Sequence, residues 1–205
     1  MKRDRLLQRV DQGWNMFLQT FEGLPDRVLL ESGVVGGWSI RDLMAHVAIW
    51  EEEALEALPI ILKGRPTLRY ARYGGIDAFN ALALEKEQHK SLNEVREWMV
   101  STHKRLMDFL SSVPETAYAT EGRFLKRLRL DTYNHYREHA GQVLEHMGIK
   151  KNQRERQQPT KDGRQRVRRD ADLDELVGHA VVTLVPGLHA DRFDDEDKDG
   201  HRQNE

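Results

Sequence analysis

The chain contains no cysteine, which excludes disulfides, thiolate metal sites and a cysteine nucleophile together. Any thiol chemistry would need a thiol supplied from outside. The same absence fits a reducing compartment, and a cytoplasmic protein is expected. Nowhere does an uninterrupted apolar run reach about 18 residues, the rough minimum for a spanning helix. The opening stretch, MKRDRLLQRVDQGWNMFL, is broken by charges before a signal-like core can form. A soluble chain with no membrane partner is the expectation. An excess of one charge is also missing. The 32 Lys and Arg face 34 Asp and Glu, a formal net charge of -2, so there is no global basic field to hold nucleic acid.

Strand-like alternation is absent too, and the patterning that is present is helical. Leu6, Leu7, Val10, Trp14, Phe17, Leu18 and Phe21 recur at three- and four-residue steps, predicting a first helix that stops near Gly23 to Pro25. After Gly36-Gly37, Trp38-Ser39 reads as an apolar staple and a serine N-cap, with Asp42 placed to meet the free amides of the first turn. The helix it opens carries Leu43, His46, Val47, Trp50 and Ala54 and runs toward Pro59 or Lys63. Residues 64–76 read as a long connection and Asp77 as a helix start. The SLNE of residues 91–94 is a capping box ahead of Val95, Met99, Thr102, Leu106, Phe109 and Leu110. A last long helix is predicted over residues 124–147, with Gly148 as its stop. These elements predict an all-α body, most simply a four-helix bundle over residues 1–149. Residues 150–205 are charged and apolar-poor, with short apolar content only at 173–188, and are expected to form a mostly disordered extension.

Three histidines interrupt the inward stripes. His135 and His139, four positions apart, project within about 40° of each other on a helix, on a face shared with Leu128, Thr132 and Met147. His46 lies between Leu43 and Trp50 on the second stripe. Two imidazoles one turn apart can share a cation, and a third from a facing helix would complete a site with open positions. A hydrogen-bonded core histidine is the plainer reading of His46 alone, and a rotated stripe would put the pair on the surface.

Other motifs compete less well. HYREH matches the H-x-x-E-H of inverted zinc peptidases, with Glu138 as general base, but the body is small for an extended substrate. DEDKDG at 195–200 resembles half a calcium loop, yet its twelfth position would fall past the last residue, Glu205. Trp50, one turn beyond His46, and His103, beside the apolar line of its helix, are candidate substrate contacts. So are Arg69 and Tyr73 in the long connection, where a solvated loop is the alternative.

GWSIRDLMAHVAIWEE, STHKRLMDFL and DTYNHYREHAGQV together resemble the DinB-like (damage-inducible) four-helix bundle superfamily over residues 2–148. That resemblance implies an up-down-down-up bundle, a homodimer, and a divalent transition metal, nickel or zinc, bound by His46, His135 and His139. It also implies either of two activities. One is a thiol-dependent S-transferase or hydrolase that uses a low-molecular-weight thiol against small electrophiles in stress or detoxification; in a mechanism written from the residues, Glu138, if turned inward, would orient or accept the proton. The other is a non-catalytic bundle, a ClbS/DfsB-type protection protein or an interaction protein.

Overall fold

A computed structural model describes residues 2–67 and 69–157, of the backbone alone from 149 onward. Its elements are α1 Lys2–Gln19, the single turn α2 Asp26–Leu29, α3 Ile40–Leu62, a 3-10 turn Tyr70–Tyr73, α4 Ile76–Lys86, α5 Leu92–Ser112, a second 3-10 turn Glu115–Tyr118, α6 Arg123–Asp131 and α7 Tyr133–Gln157. Among the described residues there is no strand, and one isolated bridge joins Val35 to Trp38. The protein is all-α, as its periodicity predicts.

Local chemistry sets the helix starts. The Ser39 hydroxyl accepts from the Asp42 amide at 3.1 Å while the Asp42 carboxylate accepts from the Ser39 amide at 3.0 Å. Ser91 and Glu94 repeat this reciprocal cap at the start of α5, so orphan amides at both starts are satisfied. Pro59 lies in the last turn of α3, which runs on to Leu62.

Side-chain pairs fix the helix directions. Arg3 meets Ser111 and Trp14 meets His103, so α1 and α5 are antiparallel. Arg41 reaches the Lys90 carbonyl and Glu52 the Thr102 hydroxyl, so α3 and α5 are parallel. Arg9 lies over Tyr133 and Trp14 against Tyr136, so α1 and α7 are parallel. The order is up-down-down-up. A parallel pair needs a long crossover, and the 63–91 segment with its 3-10 turn and α4 supplies it. The core between the helices holds Phe17, Leu43, Met44, Leu58, Met99, Leu106, Leu110 and Val143, each nearly or fully buried.

The first helix ends at Gln19, short of the expected stop near Gly23, and the last predicted helix differs in two places. The predicted single helix over 124–147 is broken at Thr132, whose backbone leaves the helical region at φ -124°, ψ -111°. Its hydroxyl donates to the Leu128 carbonyl at 2.5 Å, engaging the acceptor that a continuing helix would use, and its own carbonyl accepts from the Tyr136 amide to start α7. The predicted stop at Gly148 is overrun, because Gly148 does not take the left-handed conformation a glycine cap requires and α7 continues to Gln157. The expected extension beyond Gln157, including the apolar 173–188 segment and the acidic 195–200 motif, lies outside the described residues.

Candidate metal centre

The break at Thr132 sets α7 apart from α6 and lays its first turns against α3. From α7 come His135 and His139, one turn apart; from α3 comes His46. All three are buried, at 3, 5 and 4 % exposure. His135 Nε2 lies 3.0 Å from His46 Nε2 and 2.9 Å from His139 Nε2. One ligand atom from each residue lies within 4.8 Å of the other two, and among the described residues this trio forms a group able to hold a metal ion.

The His135–His46 and His135–His139 spacings fit an ion. Three nitrogens at about 2.0–2.1 Å from one centre are separated by about 2.9 Å at right angles and about 3.3 Å at tetrahedral angles. Hydrogen bonding suits the arrangement less well, since His135 Nε2 carries either a proton or a lone pair and faces a nitrogen on each side. The His139 tautomer agrees with ligation. His139 Nδ1 donates to Gln142 Oε1 at 2.7 Å, so the lone pair lies on Nε2, turned into the cluster. Neutral nitrogen donors without thiolate or carboxylate suit zinc, nickel or copper better than magnesium or calcium.

An aromatic wall lines one side. Trp38, half-buried, approaches His46 with ring centroids 4.9 Å apart, and Trp50 stands 6.2 Å from His46 and 6.1 Å from His135. Trp50 donates to Asn80 at 3.0 Å and packs against Tyr70 and Phe79. Arg127 lies 5.5 Å over Trp50, pairs with Asp131, and donates to the Tyr70 hydroxyl at 2.8 Å, which in turn donates to Glu53. Burial pushes the Tyr70 hydroxyl far up despite the adjacent Arg127, so it remains a neutral donor.

The remaining candidates separate in space. Trp50 borders the histidines. Glu138, half-buried on α7, stands beside His139 in sequence but outside the three-residue cluster. Arg69 is exposed, and Tyr73 is half-buried against Phe79 with Arg72 over its ring. His103 is in a different layer, bonded through Nδ1 to Glu51 at 2.7 Å.

Glu51 and Tyr136 were not singled out by the sequence. The Tyr136 hydroxyl donates to Glu51 Oε1, and Glu51 is fully buried. Glu51 opens the acidic run Glu51-Glu52-Glu53 and stands four residues after Val47 and three before Ala54, on the inward stripe. That register was the available signal.

Residues 9–149 match the family described as the DinB superfamily. Among solved structures, the chain is similar to the sibling lethal factor precursor DfsB, with 15% identity and a TM-score of 0.59 over 74% of this chain and 96% of that one. It is also similar to an uncharacterised protein from Escherichia coli UTI89, with 12% identity and a TM-score of 0.60 over 73% and 94% of the two chains. No curated protein matches. At these identities the likeness is one of fold.

Proposed function

The chain belongs to the DinB superfamily, and from that premise we propose that it is a metal-dependent enzyme acting on small electrophiles with a low-molecular-weight thiol or water. His46, His135 and His139 hold a divalent transition metal, nickel or zinc. The observation that carries this reading is the convergence of three buried imidazole nitrogens from two helices, with two contacts of 2.9 and 3.0 Å. When bound, such an ion keeps its full positive charge and lowers the pKa of a thiol or water at an open position.

The chain's own residues do the rest. Gln142 holds the His139 ring in the tautomer that presents Nε2. Trp38 and Trp50 keep bulk water from the imidazoles on one side and give an apolar surface to an electrophile. Glu138, beside His139 on α7, accepts the proton released by the incoming nucleophile. The absence of cysteine requires that a transferred thiol arrive as cosubstrate. The physiological setting proposed is stress or detoxification in the cytoplasm, with the protein acting as a homodimer.

The test is turnover. Zinc- or nickel-loaded protein is incubated with a panel of small thiols and activated electrophiles, and thiol consumption is followed beside His46→Ala. Metal-dependent consumption absent from the variant supports the enzyme. Metal binding with no thiol or hydrolytic turnover across the panel overturns it in favour of a non-catalytic, ligand-sequestering bundle.

A further inference from the structure

The four long helices meet at one buried polar node that the metal reading leaves unused. Trp14 comes from α1, Glu51 from α3, His103 from α5 and Tyr136 from α7. Glu51 Oε1 accepts from the Tyr136 hydroxyl at 2.5 Å and from His103 Nδ1 at 2.7 Å. Trp14 lies flat on His103, with centroids 3.9 Å apart and planes 1° from parallel, and meets Tyr136 edge-on at 5.7 Å. Among the described residues, Glu51 Oε2 is buried with no hydrogen-bond partner. A carboxylate so placed is costly, and a leucine would fill the space without that cost. What the carboxylate offers that a leucine does not is direction.

That direction bears on the histidines. Glu51 follows His46 by five residues on α3, and Tyr136 stands between His135 and His139 on α7. The Tyr136 to Glu51 bond therefore joins the two helices that present the three imidazoles. Because successive helical residues turn by about 100°, fixing Tyr136 on α7 fixes the heading of His135 and His139 together. His103 and Trp14 hold the other side of Glu51, so the anchor is set from α5 and α1 as well.

We propose that Glu51 is a positioning residue for the three-histidine face, setting the rotation and height of α7 against α3 through Tyr136. The proposal rests on the metal reading above. It assigns Glu51 no contact with metal or substrate.

The test is a cobalt(II) titration of the full-length protein and of Tyr136→Phe, Glu51→Leu and Glu51→Gln, followed in the visible spectrum. Thermal unfolding of the metal-free forms is run in parallel. Tyr136→Phe and Glu51→Leu are expected to shift the cobalt band and weaken binding about 10-fold, the low end of what losing a direct hydrogen bond to a ligating histidine costs, because the node acts on the ligands through the helix backbone. Glu51→Gln keeps an acceptor oxygen and is expected to keep the wild-type band. Glu51→Leu stands in should Tyr136→Phe not fold. Wild-type band and affinity in the folded Phe and Leu variants, even with lowered melting temperatures, would show the node to be structural only and overturn the proposal with the metal site intact. A wild-type protein that binds no cobalt overturns the metal reading itself.

Discussion

His46 and His135 are 89 residues apart in the chain, yet their Nε2 atoms are 3.0 Å apart in a face that is almost closed to solvent. Packing alone does not favour this. Two imidazoles on stripes that otherwise carry Leu43, Val47 and Val143 displace apolar volume and bring in polar atoms that must be satisfied. A shared cation turns that cost into binding energy.

Metal addition should stabilise the wild type and leave the histidine variants unmoved. Free zinc or nickel at a hundred times its dissociation constant contributes about 2.7 kcal/mol to the folded state. The expected outcome is a raised Tm for the wild type and no shift for His46→Ala or His135→Ala by calorimetry. Equal shifts in all three would assign the effect to ions bound elsewhere.

Glu51 should make the metal-free fold lose stability as pH rises. Burial pushes its carboxyl up, against the lowering pull of the His103 and Tyr136 bonds. The folded state thus binds the proton more tightly than the unfolded chain, so this contribution is full below the ordinary value of 4.5 and is lost as pH climbs through the raised folded value. Glu51→Gln cannot titrate, and its stability relative to wild type should grow from pH 4.5 upward in urea unfolding curves. Parallel pH profiles would contradict the assignment.

Arg127 and Asp131 form a buried ion pair at 5 and 1 % exposure. Arg127→Met removes the guanidinium from beside the buried Asp131 carboxylate and should cost about 3–5 kcal/mol, with much of the loss recovered in Arg127→Met/Asp131→Leu. Urea unfolding of the two variants checks both numbers. A single-variant loss below about 1 kcal/mol would count against a tightly coupled pair.

Two helical glycines should respond with opposite signs. A Cβ at Gly13 would lie 3.1 Å from Tyr133 Cα and Cβ and 3.3 Å from the Tyr136 ring, where α1 presses on α7. A Cβ at Gly141 would meet nothing within 4 Å. Gly141→Ala should stabilise by about 0.5–1 kcal/mol through reduced chain entropy, while Gly13→Ala should destabilise by about 1–3 kcal/mol through overpacking. Matching signs in chemical denaturation would refute the close approach.

Legibility in the sequence followed the range of the interactions. The caps at Ser39 and Ser91 were readable because each is complete within four residues. His46, His135 and His139 were readable because helical periodicity places them on inward stripes and the family resemblance groups them as one set. Thr132 was not, since a threonine hydroxyl bonds back to the carbonyl four residues earlier in unbroken helices as well, so the local pattern does not mark the break. Glu51 was hidden by its acidic neighbours, and its partners His103 and Tyr136 lie 52 and 85 residues away. No local pattern specifies such a node.

Metal content by elemental mass spectrometry of untagged protein tests the central claim most directly, run beside folded His46→Ala and His135→Ala/His139→Ala variants. The account predicts a near-stoichiometric transition metal, taken up on purification or after refilling and gentle desalting, and lost from both variants. A metal-free wild type after refilling, or variants that retain the wild-type metal content, would contradict it.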